Sequence, residues 1–187
     1  MHDPALSTAQ HRELIEALAL SHVLPHDTLP VEECLGRRLA VDVFSLIPLP
    51  PFTNSAMDGF AVRREDLEGE GPWTLPVAGD IPAGDTRDNR LEKGQAWRIM
   101  TGAPIPQGAD TVVKVEHTDH AAGVAQAPAT VEIRVAPKLG ENVRVAGEAL
   151  EAGSPVLKGG RILDGTALPA AASGGRGTPT VLPRPSV

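Results

Sequence analysis

The sequence predicts a mainly β (α+β) chain whose largest body is a small β-barrel or sandwich, led by one helix. Three observations predict it. The 187 residues include 19 Gly and 18 Pro, a density of breakers that favours short strands and turns over long helices. Candidate strands recur between Gly- and Pro-marked turns across the middle of the chain, the spacing of a small barrel or sandwich. Only the leading segment carries an apolar stripe at helical spacing behind a capping signal.

Composition narrows the classes. Tyr is absent and there are only 3 Phe and 2 Trp, so Val, Leu, Ile and Ala must build the core. The 17 basic and 24 acidic residues give a net charge of −7. That argues against a nucleic-acid partner, because phosphate binding rests on basic patches. The single cysteine, Cys34, cannot close an internal disulfide and reads as a small hydrophobe. No apolar run approaches the ~18 residues of a membrane span, and no signal peptide with a basic start is visible. The expectation is a cytoplasmic protein with no membrane partner.

In chain order, Ser7-Thr8-Ala9-Gln10 fits a capping box, in which hydroxyl and amide satisfy orphan N–H groups reciprocally. Leu14, Ile15, Leu18 and Ala19 then share a face, and Pro25 stops the helix. Leu24 to Leu29 reads as a strand or extended link. Pro30 to Leu35 is a short helix capped by Gly36, and Leu39 to Ser45 alternates as a strand. Residues 48–138 form a β module with candidate strands at Thr74–Ala78, Ala96–Met100, Thr111–Glu116 and Thr130–Val135. Further strands are expected at Asn142–Val145, Ser154–Leu157 and Arg161–Leu163. From Gly174-Gly175-Arg176-Gly177 onward the chain reads as a linker. That glycine run lacks the Lys-Ser/Thr of a phosphate loop.

The chain is organised around Pro50-Pro51-Phe52-Thr53-Asn54-Ser55-Ala56-Met57-Asp58-Gly59-Phe60-Ala61-Val62-Arg63. Its prolines stiffen the approach, Asn and Ser favour a loop, and Asp58-Gly59 reads as a turn, with Gly supplying any positive φ. Thr53, Asn54, Ser55 and Asp58 are thereby presented just before a strand. Physics alone leaves two readings, a functional loop on a rigid scaffold or a crossover whose polar groups only satisfy backbone. Thr101-Gly102 is likewise open. A hydroxyl beside an uncovered N–H could cradle an anion, or the pair could be a plain turn. His117-Thr118-Asp119-His120 lacks a metal-ligand pattern around it and reads as a solvated turn.

Residues Pro51 to Arg63 closely resemble the signature of the molybdopterin molybdenumtransferase family (MoeA, and the E domain of gephyrin). Two further stretches match at the family's spacing: Arg98-Ile99-Met100-Thr101-Gly102 on to Val113, and Gly140-Glu141-Asn142-Val143-Arg144 through Gly147-Glu148. The resemblance covers nearly all of this chain but only the front of a family member. It implies an elongated β body. Residues 1–25 would be the N-terminal helix, 26–47 plus 139–175 a discontinuous β domain, and 48–138 an inserted β domain. Residues 176–187 would link to a pterin-binding α/β domain that is missing here. The helix, without that domain, would be loosely held or dock on another copy.

The resemblance also implies an activity. The family moves molybdenum from molybdate onto the dithiolene of adenylylated molybdopterin, releasing AMP, with Mg²⁺ assisting. Members are homodimers, and a molybdopterin-adenylylating protein is the pathway partner. Asp58 and Thr101 match catalytic positions, and a carboxylate on a tight turn such as Asp58 can reach a hydrated Mg²⁺. Asn54, Ser55, Gly102, Arg144 and Glu148 match the substrate-binding stretches, although Asn54 and Ser55 also suit loop-shaping. As a bare pair, Arg144 and Glu148 would be a surface ion pair. Ala149 departs from the family by removing a carboxylate, and Ala170 to Gly175 is less apolar than usual. The expectation is a fragment inactive alone. The alternative is a scaffold paralogue serving as a protein-interaction platform.

Overall fold

The computed structural model describes residues 6–21, 25–121, 123 and 126–184. In chain order the first elements are α1 (Thr8–Ser21), β1 (Asp27–Thr28), β2 (Val43–Phe44), β3 (Asn54–Ser55), β4 (Gly59–Val62) and β5 (Trp73–Ile81). There follow β6 (Ala96–Ile99), β7 (Thr111–Lys114), β8 (Thr130–Ile133), β9 (Val143–Arg144), β10 (Pro155–Leu157), α2 (Ala167–Ser173) and β11 (Thr180–Val181). They divide into two units, one made of residues up to 46 and from 155 onward, the other of Ile47–Ser154. This is the mainly β architecture with a leading helix that the sequence predicts.

In the first unit, α1 opens with the expected box: Gln10 N–H donates to Ser7 Oγ at 3.3 Å and Ser7 N–H to Gln10 Oε1 at 3.0 Å. Leu14, Ile15 and Leu18 are exposed. Leu24, where the extended link was expected to begin, lies outside the described residues. The short helix after Pro30 is a single 3₁₀ turn, Val31–Glu33. Antiparallel pairs β1–β11 and β2–β10 enclose a core of Cys34, Leu39, Val43, Leu157, Leu163, Ala167, Ala171 and Val181.

Two expectations are corrected here. The tail as far as Leu182 is not a free linker. Val181 is fully buried, and the chain laces Ala40 N–H to Thr180 O at 2.9 Å and Leu182 N–H to Arg38 O at 2.8 Å. The run from Gly174 caps the end of α2, where the Gly175 and Arg176 amides bond back to Ala172 O and Ala171 O with Gly175 at φ 79°. Glycine is the residue that takes that left-handed turn without strain.

The second unit is built on a five-stranded sheet in the order β7-β4-β6-β5-β8. Only β5–β6 is parallel; the other pairs are antiparallel. Successive side chains on a strand point to opposite faces, and β4 buries both. Phe60 and Val62 join Leu67, Leu75, Val113, Val131 and Ile133, while Ala61 joins Ile81, Ile99, Ala103 and Val112. The inserted body extends beyond the expected residue 138 to Ser154. The reason is pairing: β9 lies against β3, and Leu49 bridges Leu150. Among the described residues, no helix is long and apolar enough to cross a membrane.

Candidate functional site

The antiparallel register of β4 and β6 sets Gly59 opposite Ile99. Asp58, one residue before β4, therefore meets the chain just beyond β6, and Thr101 is there. Thr101 donates twice to the same carboxylate oxygen, from its amide and its hydroxyl to Asp58 Oδ1, each at 2.7 Å. These donors hold the Asp58 carboxyl below its ordinary range. The amide bond contributes most and the hydroxyl next; partial burial opposes them, and the Arg98 charge adds to them. Asp58 stays exposed and is ionised at neutral pH. Among the described residues its second oxygen, Oδ2, has no hydrogen-bond partner.

Gly59 serves the turn differently from the expectation. Its φ is not in the left-handed range. A Cβ there would sit 1.9 Å from Val113 O, so glycine is needed for β4 to approach β7. That approach fixes where Asp58 emerges.

The loop before Asp58 is stapled from both sides. Ser55, fully buried, receives Gly102 N–H on its carbonyl at 2.8 Å and gives its own N–H to Ala103 O at 3.0 Å. Its hydroxyl donates to Met57 O at 2.6 Å and accepts Met57 N–H at 3.3 Å. Asn54 Nδ2 donates to Phe52 O at 3.0 Å. Asn142, a residue at φ 60°, donates its Nδ2 to Val112 O at 2.9 Å and receives Ala56 N–H at 2.9 Å. Asn54 and Ser55 spend their polar groups shaping this loop.

The anion cradle considered at Thr101-Gly102 is corrected by the same bonds. Thr101 N–H goes to Asp58, Gly102 N–H to Ser55 O, and Ala103 N–H to Met100 O at 3.0 Å. None of these amides is left uncovered. Arg144 stands opposite Asn54 across β3–β9 and is exposed. The surface ion pair expected of it does not form. Glu148 Oε2 instead accepts Val145 N–H at 3.0 Å. Among the described residues neither side chain bonds to Asp58 or Thr101. Ala149 is exposed, its N–H on Leu49 O at 3.0 Å.

Two residues outside the expected set border the site. Arg98 and His120 line one small hollow together with Asp58, Phe60, Met100 and Val115. The Arg98 side chain is nine-tenths buried, with Nη1 3.7 Å from Asp80 Oδ1. His120 is no solvated turn residue. Its Nε2 lies 3.0 Å from Thr130 O, and its ring centroid is 5.8 Å from that of Phe60. The available signal was a charged residue inside the apolar strand Ala96-Trp97-Arg98-Ile99, since arginine is rarely buried without a purpose. Among the described residues no group of three or more His, Cys, Asp or Glu side chains could hold a metal ion.

Against this geometry the chain can be compared with known proteins. A family model described as MoeA N-terminal region (domain I and II) matches residues 6–175. A molybdopterin molybdenumtransferase 2 of Mycobacterium tuberculosis is 44% identical over 163 residues, covering 86% of this chain and 39% of the relative. The molybdopterin molybdenumtransferase of Staphylococcus epidermidis is 38% identical over 159 residues, covering 82% and 36%. A crystal structure of a molybdopterin biosynthesis MoeA protein from Pyrococcus horikoshii superposes with a TM-score of 0.78 at 30% identity, over 92% of this chain and 44% of that one. The chain spans about two-fifths of the length of these relatives.

Proposed function

Because the chain belongs to the MoeA family, matched through its N-terminal region, we propose that it forms part of a molybdopterin molybdenumtransferase. The reaction is the transfer of molybdenum from molybdate to the dithiolene of adenylylated molybdopterin, with AMP released, in molybdenum cofactor biosynthesis. One observation carries the reading: within the matched region, Thr101 clamps the Asp58 carboxylate with two short bonds to one oxygen.

The clamp decides what Asp58 can do. A carboxylate held ionised and accepting at Oδ1 is no proton donor near neutral pH. It offers Oδ2 as a negative, oriented acceptor at the surface. That suits holding a water or meeting the hydration shell of Mg²⁺, an ion that keeps most of its waters and needs only one or two carboxylates beside substrate phosphates. The donor set fits that use and no closer cage, given the lack of a metal-holding cluster among the described residues. A bound Mg²⁺ would supply Lewis-acid polarisation of a phosphate oxygen. Asn54 and Ser55 hold the loop, Gly102 ties it to β3, and Arg144, exposed opposite Asn54, would offer its charge to an anionic substrate. A homodimer, a molybdopterin-adenylylating partner and a cytoplasmic setting belong to the same reading.

The test is molybdenum insertion and AMP release by the full protein, comparing wild type with Asp58→Asn and Thr101→Val. Loss of a positioned charge or donor is expected to lower kcat on the order of 10²-fold for Asp58→Asn and less for Thr101→Val. Wild-type turnover in both variants would overturn the reading.

A further inference from the structure

Strand β6 carries Arg98 into an apolar neighbourhood beneath the site. The sheet sets it opposite Phe60 of β4 and Asp80 of β5, three residues ahead of Thr101. The Arg98 side chain is nine-tenths buried, and its Nη1 stands 3.7 Å from Asp80 Oδ1, too far for a hydrogen bond. Among the described residues, both atoms are buried without a hydrogen-bond partner. Buried polar atoms in folded proteins nearly always find partners, in protein or in ordered water.

A space adjoins Arg98. Arg98 and Asp58 line the same hollow, whose free volume of about 10 Å³ is room for roughly one water molecule. Chemistry chooses the occupant. Two carboxylates, Asp58 and Asp80, flank one guanidinium, so the local charge is negative and an anion is disfavoured. The hollow is too small for an organic group. His120 is not the missing partner, because its Nε2 is engaged with Thr130 O. Water is both acceptor and donor, so one molecule can accept from Arg98 and donate to Asp58, which share the hollow.

We propose that Arg98 is a positioning residue of the site, acting on Asp58 through one buried water that accepts from Nη1 and donates to the carboxylate. This rests on the reading of Asp58 as a site residue. Thr101 fixes one carboxylate oxygen from above, and the water holds the group from below. A side chain held on two sides keeps one orientation, which is what a preorganised site requires. The guanidinium also acts directly, since its charge is among the causes that keep Asp58 ionised.

The experiment is a near-atomic-resolution crystal structure of the full protein, with turnover measured in parallel, for wild type, Arg98→Met and Arg98→Lys. The wild-type map is expected to show a water within about 3.2 Å of both Arg98 Nη1 and the Asp58 carboxylate. Arg98→Met is expected to lose that water and to lower kcat about ten-fold with KM nearly unchanged, the mark of a lost transition-state interaction. Arg98→Lys, which keeps a donor, is expected to restore the water and most of the rate. Should Arg98→Met not fold, Asp80→Asn replaces it, and there both water and rate are expected to persist. A dry hollow in the wild type overturns the inference whatever the activity. So does an Arg98→Met enzyme with wild-type kcat, or an Asp80→Asn enzyme that loses the water. Normal turnover by Asp58→Asn overturns instead the functional reading, and with it the role of Arg98 in the reaction.

Discussion

Replacing Thr101 with Val keeps the shape of the side chain and removes the hydroxyl that donates to Asp58 Oδ1 at 2.7 Å. The amide donor at 2.7 Å remains. A hydrogen bond to a charged acceptor contributes roughly 1.5–3 kcal/mol when sheltered. Asp58 is exposed, so solvent screening brings the expected loss to about 1 kcal/mol. The pH dependence follows from the sign of the shift. Asp58 has its folded pKa lowered from 3.8, first by the Thr101 amide and then by its hydroxyl. Its contribution is therefore complete above the unfolded value of 3.8 and is lost as pH falls through the depressed folded value. The assay is urea unfolding of wild type, Thr101→Val, Asp58→Asn and the double variant, at pH 7 and in acid. Both tryptophans, Trp73 and Trp97, lie in the unit that carries the site, so their fluorescence follows that unit. The double-mutant cycle should give a coupling of about 1 kcal/mol at pH 7 that shrinks toward zero in acid. A coupling near zero at pH 7, or one that acid leaves unchanged, refutes the reasoning.

Three further outcomes are expected. Gly59→Ala drives a Cβ to 1.9 Å from Val113 O, a backbone atom that cannot move aside, and should destabilise the second unit by about 3 kcal/mol in the same fluorescence assay; a near-neutral change would disprove the close approach. Truncation after Gly177 removes β11, and amide hydrogen exchange at Ala40, bonded to Thr180 O, should accelerate strongly; unchanged protection would show the tail to be dispensable. Asp164 accepts the Thr166 hydroxyl and the Ala167 and Thr166 amides, which, in the order hydroxyl, Ala167, Thr166, lower its pKa to about 2. The stabilisation it lends the start of α2 is present above the unfolded value and lost as pH falls through about 2, so the Ala167 amide resonance should titrate there. A midpoint near 3.8, the ordinary value, would show that these bonds are not held in solution.

Much of this was legible in the residues, and the misses have physical causes. Strands β6, β7 and β8 are short apolar-rich runs between Gly and Pro signals, so punctuation and composition find them, and β8 alone alternates. The two-residue strands β1 and β11 are shorter than any period, and only their pairing across the chain reveals that Val181 is core. Helix α2 hides because Ala167 to Ser173 includes Pro169 and has little bulk. Its small side chains bury at Ala167 and Ala171 by close approach rather than by size. Physical reading of the loop suggested Asp58 but could not pair it with Thr101, because register between β4 and β6 is a tertiary fact. The same register hid the setting of Arg98, whose neighbours Phe60 and Asp80 come from other strands. The uncovered N–H expected at Gly102 failed for a related reason: its acceptor, Ser55 O, lies far away in sequence and adjacent in space.

One feature of the second unit reaches further than the site. Its incoming and outgoing segments are fastened together, with Leu49 N–H on Leu150 O at 2.7 Å and Leu150 N–H on Leu49 O at 3.1 Å. A module clasped at its own neck asks little of its host. Longer outer loops between Ile47 and Ser154 are therefore expected to leave the geometry that joins Asp58 to Thr101 in place.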